Sequence, residues 1–165
     1  MILICYGGSA DSKSAIKRGG KLLSGQPATV LTVWQPFAAV VTRAYAGWGT
    51  IASMQDPVAI DKAILEQAEE LAQEGARLAR EAGLDAEART RAEETTTAEA
   101  VLSEADAIGA TAILIGSRGL SALKSVFLGS VSRGVLQNAD RTVIVVPSPE
   151  VADARERERA ASKRA

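Results

Sequence analysis

The sequence contains no histidine. Within one chain this excludes a Ser-His-Asp triad, a Cys-His dyad and a His-ligated metal site. A single cysteine, Cys5, leaves no partner for an internal disulfide and fits a reducing compartment. Nineteen Lys and Arg against twenty Asp and Glu give a net charge of −1, so no basic field draws the chain to nucleic acid. No apolar run approaches the roughly 20 residues that a membrane span requires. The first run, Ile2 to Tyr6, has no basic segment before it and is too short for a secretory leader. The expectation is a cytoplasmic protein with neither a nucleic-acid nor a membrane partner. Three nucleotide and nucleophile motifs are missing as well: GxxxxGK[ST], GxGxxG after the first strand, and GxSxG.

What is present is an ordinary globular composition, 47% hydrophobic and 24% charged, over 165 residues. That length suits one domain, which buries roughly 68–70% of its unfolded surface. Ile2 to Tyr6, bounded by Gly7-Gly8, reads as a strand covered on both faces. Ser9 or Asp11 can cap the helix that follows, whose apolar positions include Ala15, Ile16, Leu22 and Leu23. Thr29 to Trp34 is β-branched and apolar, a second strand. Residues 36–55 are irregular and read either as a surface crossover with some helix or as a lid over a ligand.

Asp56-Pro57 opens a long helix with an N-cap and a proline at the first helical position. Its apolar stripe runs through Ile60, Ala63, Ile64, Ala68, Leu71, Ala72, Leu78, Ala79 and Ala82, and Gly83 ends it. Asp85 to Arg91 alternates small and charged residues, as an edge strand does. Thr96-x-x-Glu99 is a capping box for a helix stopped at Gly109. Two more apolar runs, Ala112–Ile115 and Val143–Val146, flank a glycine-rich segment. Strands alternating with helices imply an α/β fold with a parallel sheet covered on both faces. Residues 1–147 form this domain, and the charged tail 148–165 reads as frayed helix or disorder.

The glycines carry the chemistry. Gly116-x2-Gly119-x9-Gly129-Ser130 lies between a strand and a helix start. An anionic phosphate needs several converging N–H donors with no Cβ in the way. Glycines permit the approach, and a helix start supplies unsatisfied N–H groups and the positive end of the dipole. Ser117 and Ser130 have no histidine to activate them, so they are not nucleophiles. Arg118 and Lys124 are candidate charges for the same anion.

Gly116-Ser117-Arg118-Gly119 followed by Gly129-Ser130-Val131 resembles the nucleotide-binding signature of the universal stress protein family. The resemblance covers about residues 1–147, from the ILICYGGS opening to the closing VIVVP. It implies a three-layer α/β/α, Rossmann-like fold of the adenine nucleotide α-hydrolase-like kind, with five parallel strands in the order 3-2-1-4-5. It implies ATP, with Mg, at the carboxyl ends of the first and fourth strands. The Val33 backbone would meet adenine, and Ile115 and Gly116 would line the ribose side. Gly119, Gly129, Ser130 and Val131 would hold phosphates, with Ser117 and Arg118 beside them. It also implies a stress-response role and a homodimer through Val143–Val146.

One departure stands out. The family commonly places an Asp in the first loop, where this chain has Gly7. A hydrogen bond to a charged group is worth about 1.5–3 kcal/mol, so its loss weakens binding by about ten- to a hundred-fold. Asp11 does not stand in for it, because it falls at the start of the helix. Three functions are therefore weighed. The glycine set favours an ATP-binding sensor or regulator, and Gly7 favours an interaction module of the same fold that binds nucleotide poorly. A slow ATPase is the third, with no general base in the signature to drive it.

Overall fold

The computed structural model describes residues 1–44, 56–117 and 128–162. In chain order the elements are β1 (Ile2–Cys5), α1 (Ala10–Leu22), β2 (Pro27–Trp34), α2 (Phe37–Ala44), α3 (Pro57–Glu81) and β3 (Asp85–Ala92). They continue with α4 (Thr97–Ala107), β4 (Ala112–Gly116), α5 (Ser130–Asn138), β5 (Thr142–Val146) and α6 (Pro149–Ser162). The five strands form one sheet in the order β3-β2-β1-β4-β5, every neighbouring pair parallel. This is the order implied by the family resemblance.

Side chains alternate across each strand, and both faces of the sheet are covered. Ile2, Ile4 and Tyr6 point to one side, where they pack with Ala15 and Ile16 of α1 and Ala76 and Ala79 of α3. Leu3 points to the other, with Leu31, Val101 and Ala105 of α4 and Val135 of α5. The strand order reverses at β1: the chain builds outward to β2 and β3, then returns to place β4 on the opposite side. Helices on opposite faces diverge there and leave a crevice at the carboxyl ends of β1 and β4.

The helix starts follow the local chemistry. Ser9 caps α1, its side chain accepting from Ser12 N. Asp56 caps α3 with Pro57 following, and Thr96 caps α4 by accepting from Glu99 N. Asp85 to Ala92 is an edge strand, as its alternation requires. In α3 the fully covered line is Ala68, Ala72, Gly75, Ala76 and Ala79, narrower than the expected stripe. Leu71, Leu78 and Ala82 of that stripe pack partly buried against the same core, and the helix lies so close to the sheet that a Cβ on Gly75 would come within 2.7 Å of Tyr6 Cδ1.

Within 36–55, residues 37–44 form α2, whose first N–H donates to Asp61 Oδ1 of α3 at 2.6 Å. The rest of that stretch, including the aromatics Tyr45 and Trp48, lies outside the described residues. The tail is helical from Pro149 to Ser162. Its start is a Ser-Pro pair: Ser148 Oγ accepts from Val151 N at 3.3 Å, and proline occupies the first helical position.

Candidate functional site

The crevice at the β1/β4 reversal is a cavity of about 470 Å³. Gly7 stands at its mouth beyond β1, Val33 and Gln35 come from β2 and its end, and Ile115 and Gly116 from β4. Gly129, Ser130, Val131 and Ser132 supply the opposite rim from the start of α5. The apolar floor is Leu31, Val101 and Ile115, and the polar groups sit above it.

The start of α5 differs from the starts of α1, α3 and α4. Its N-cap is Gly129, which has no side chain to cap with, so the first-turn N–H groups are not spent on one. They lie on the cavity rim at the positive end of the helix dipole. Ser132, buried, turns its hydroxyl away and donates to Gly116 O at 2.7 Å. That bond ties the start of α5 to the end of β4 and fixes the rim.

The segment between β4 and α5 is closed at its base. Gly129 N donates to Ser117 O at 2.7 Å, and Ser117 N donates to Val146 O at 2.7 Å. Ser117 Oγ accepts from Ser148 N at 3.0 Å. Ser117 is therefore a buried clasp joining β4, β5 and α6, and it is not on the cavity wall. The N–H of Gly129 is likewise engaged, which leaves the N–H groups after it to meet a ligand. Arg118, Gly119 and Lys124 lie outside the described residues.

Another part of the cavity wall is polar. Glu93, one residue beyond β3, accepts from Gln35 Nε2 at 3.0 Å and from Thr97 Oγ1 at 2.6 Å, both on Oε2. All three side chains line the cavity. Cys5 lines it too, with its thiol pushed up to about 12 by burial, so it is a neutral, unreactive group at physiological pH. Among the described residues no group of three or more His, Cys, Asp or Glu could hold a metal ion.

The cavity is thus an apolar slot whose wall carries both a helix start and hydrogen-bonding side chains. A model of the Universal stress protein family matches residues 1–147. The chain belongs to the universal stress protein family. No curated protein sequence matches it. Solved structures with the same fold include hypothetical protein MJ0577, 19% identical, with a TM-score of 0.69 over 88% of this chain and 94% of that one. The Archaeoglobus fulgidus universal stress protein in complex with dAMP is 19% identical, TM-score 0.59, over 87% and 94%. An Arabidopsis thaliana family protein with AMP bound is 14% identical, TM-score 0.58, over 88% and 90%.

In this family member the structure brings Gly7, Val33, Ile115, Gly116, Gly129, Ser130 and Val131 onto one cavity. Asp11, buried on α1, does not line it. The sequence reading missed Ser132, Gln35, Glu93 and Thr97. Ser132 had a local signal, a hydroxyl in the first turn after Gly129-Ser130. Thr97 follows the capping Thr96, whereas Gln35 and Glu93 carry no local pattern at all.

Proposed function

We propose that this universal stress protein binds ATP and acts as a sensor or regulator in a stress response. The single observation that carries the reading is the cavity at the β1/β4 reversal with the uncapped start of α5 on its rim. The N–H groups of Ser130 and Val131 would hold phosphate, the Val33 backbone would meet the base, and Gly116 would lie along the ribose. A Cβ at Gly7 would meet nothing within 4 Å, so the mouth has room for the nucleoside. Solved relatives crystallised with AMP and dAMP support an adenine nucleotide. Mg would arrive on the phosphates. The family resemblance adds Gly119 to the residues that would hold phosphate.

Nucleotide would favour one conformation or one dimer arrangement, and so report the energy state of a cytoplasmic compartment. The dimer would form through β5, an edge strand on which Val143, Ile144 and Val145 are only half-buried. A monomer by light scattering at high micromolar concentration rejects that part. Among the described residues, Glu93 is the carboxylate on the cavity wall, and its Oε2 already accepts from Gln35 and Thr97. Hydrolysis would therefore be slow at most.

The test is direct. Freshly purified protein is denatured and the supernatant assayed for nucleotide, and thermal unfolding is followed with and without Mg-ATP. A ligand at one hundred times its dissociation constant adds about 2.7 kcal/mol, or about 5–10 °C for a chain of this size. Neither retained nucleotide nor a shift at millimolar Mg-ATP rejects the reading. That result would favour an interaction module of the same fold, the alternative that Gly7 supports.

A further inference from the structure

The sheet ends at β3 on the side opposite β5, and no strand of the described residues pairs with that outer edge. Asp85 N donates to Gln26 O and Glu93 N donates to Trp34 O. The odd-numbered residues of β3 therefore turn their N–H and C=O groups inward to β2. Ala86, Ala88 and Thr90 turn theirs outward. Arg80 Nη1, donating to Ala86 O at 2.7 Å, marks that outward direction.

The side chains alternate across the two faces. Ala86 and Ala88 lie on the α3 face, where a groove between α3 and β3 runs over Ala88 and Thr90. Arg89 and Arg91 lie on the α4 face, each giving Nη1 to Glu104. Asp85 and Glu87 share that face by alternation and are exposed. Centred on Ala88, the stretch is antisymmetric in charge: two acids precede it, and two arginines follow at the same distances.

A second copy laid antiparallel along this edge, Ala88 opposite Ala88, sets Glu87 against Arg89 and Asp85 against Arg91, each twice. Opposite charges directly across an antiparallel pair attract, and like charges repel. In the same register the outward groups of Ala86, Ala88 and Thr90 meet as hydrogen-bonded pairs. Centring on Ala86 would oppose Asp85 to Glu87, and centring on Thr90 would oppose Arg89 to Arg91. Centring on Glu87 or Arg89 would oppose that residue to itself. Charge on an edge strand ordinarily discourages pairing. Here its order discourages the shifted registers and leaves one matched.

We propose that the outer edge of β3 docks a second copy of this chain, joined antiparallel about Ala88 into one continuous sheet. This surface is separate from β5 and requires no nucleotide. Each arginine spends one nitrogen on Glu104 and keeps further N–H donors for the second copy. The α3 helices extend the match. Arg80 stands at Ala86, while Glu66 and Glu69 line the groove with Thr90, so the two-fold axis brings the arginine of one copy toward the acids of the other.

Amide hydrogen exchange of the full chain, followed from micromolar to millimolar protein, tests this directly. The N–H groups of Ala86, Ala88 and Thr90 should exchange like open amides in dilute protein and slow as the pair forms. Those of Glu87 and Arg89, bonded to β2, should be protected throughout. Glu87→Lys sets lysine against Arg89 twice and should raise the dissociation constant about fourfold or more. Exchange at Ala88 and Thr90 that is independent of concentration overturns the proposal. So does a dimer by light scattering that leaves these amides open, because another edge such as β5 then carries it. An unchanged dissociation constant in a Glu87→Lys protein that melts like wild type overturns it as well. If that variant does not fold, the wild-type exchange decides.

Discussion

Gly7→Asp supplies the carboxylate that the family resemblance implies for the first loop, and the structure shows that the site can take it. An ideal Cβ at Gly7 meets nothing within 4 Å, so the substitution causes no clash. The positive φ angles among the described glycines fall at Gly8, Gly25, Gly83 and Gly109, and not at Gly7, so it causes no backbone strain either. The new carboxylate would stand at the mouth of the cavity, on the loop between β1 and α1. A hydrogen bond from the nucleoside to a charged acceptor contributes about 1.5–3 kcal/mol, or about ten- to a hundred-fold in affinity. The opposing term is repulsion from the phosphates. At one Debye length, about 8–10 Å, this is about 0.4–0.5 kcal/mol per charge in water before screening, so the hydrogen bond prevails. Calorimetric titration of both proteins with adenosine and with ATP reads the two terms separately. Adenosine should gain the full factor and ATP slightly less, with the melting temperature of the free protein unchanged. Affinities for both ligands within about twofold of wild type, in a variant that melts normally, would refute the reasoning. A gain for ATP without one for adenosine would also refute it, since the benefit would then not lie at the nucleoside end.

Ser132→Ala removes the buried donor to Gly116 O and leaves that carbonyl without its bond. The expected loss is about 1–3 kcal/mol, seen as a fall of about 2–12 °C in melting temperature, and an unchanged melt contradicts the role given to this bond. Gly75→Val should destabilise by about 1–3 kcal/mol or more by urea unfolding, because its Cβ would press on Tyr6 Cδ1 at 2.7 Å and Val30 Cγ1 at 2.8 Å. Wild-type stability in that variant would mean that α3 can lift from the sheet at no cost. Glu104 is buried between Arg89 Nη1 at 2.7 Å and Arg91 Nη1 at 2.8 Å. Burial alone would raise its pKa, but the hydrogen bonds and charges of the two arginines outweigh this and hold it below the ordinary value. A lowered folded pKa contributes stability that is complete above the unfolded pKa of about 4.3 and is lost as pH falls through the folded value. Wild-type protein should therefore lose more stability than Glu104→Gln as pH falls from about 5, and parallel stability curves would remove Glu104 from the acid response.

The parts of the fold legible in the sequence are those whose physics is local. Thr96-x-x-Glu99 and Asp56-Pro57 announce helix starts because a cap bonds to N–H groups within three residues of itself. The β-branched runs announce strands because their faces alternate along a few residues. The apolar stripe of α3 shows at helical spacing, but the close approach of Gly75 to the ring of Tyr6, 69 positions away, does not, because helical spacing carries no record of that ring. Composition leaves the tail open between frayed helix and disorder, because its polar residues give no apolar stripe, and residues 149–162 are helical. Its signal was the Ser148-Pro149 pair, and its anchor is a hydrogen bond from Ser148 N to Ser117 Oγ, 31 residues earlier.

The cavity divides along the same line. Its α5 end comes from neighbouring residues, Gly116 and Gly129 to Ser132, so spacing alone exposes it. Its wall at Gln35 and Glu93 joins residues 58 positions apart and exists only once β2 and β3 lie side by side. Gly7 and Glu93 border the same cavity, and the two differ in how they can be found. The glycine at position 7 shows in the sequence because the whole first loop, Gly7 to Ser9, lies between one strand and one helix start. Glu93 does not, because its backbone is fixed by Trp34 O and its side chain by Gln35 and Thr97, from three different parts of the chain.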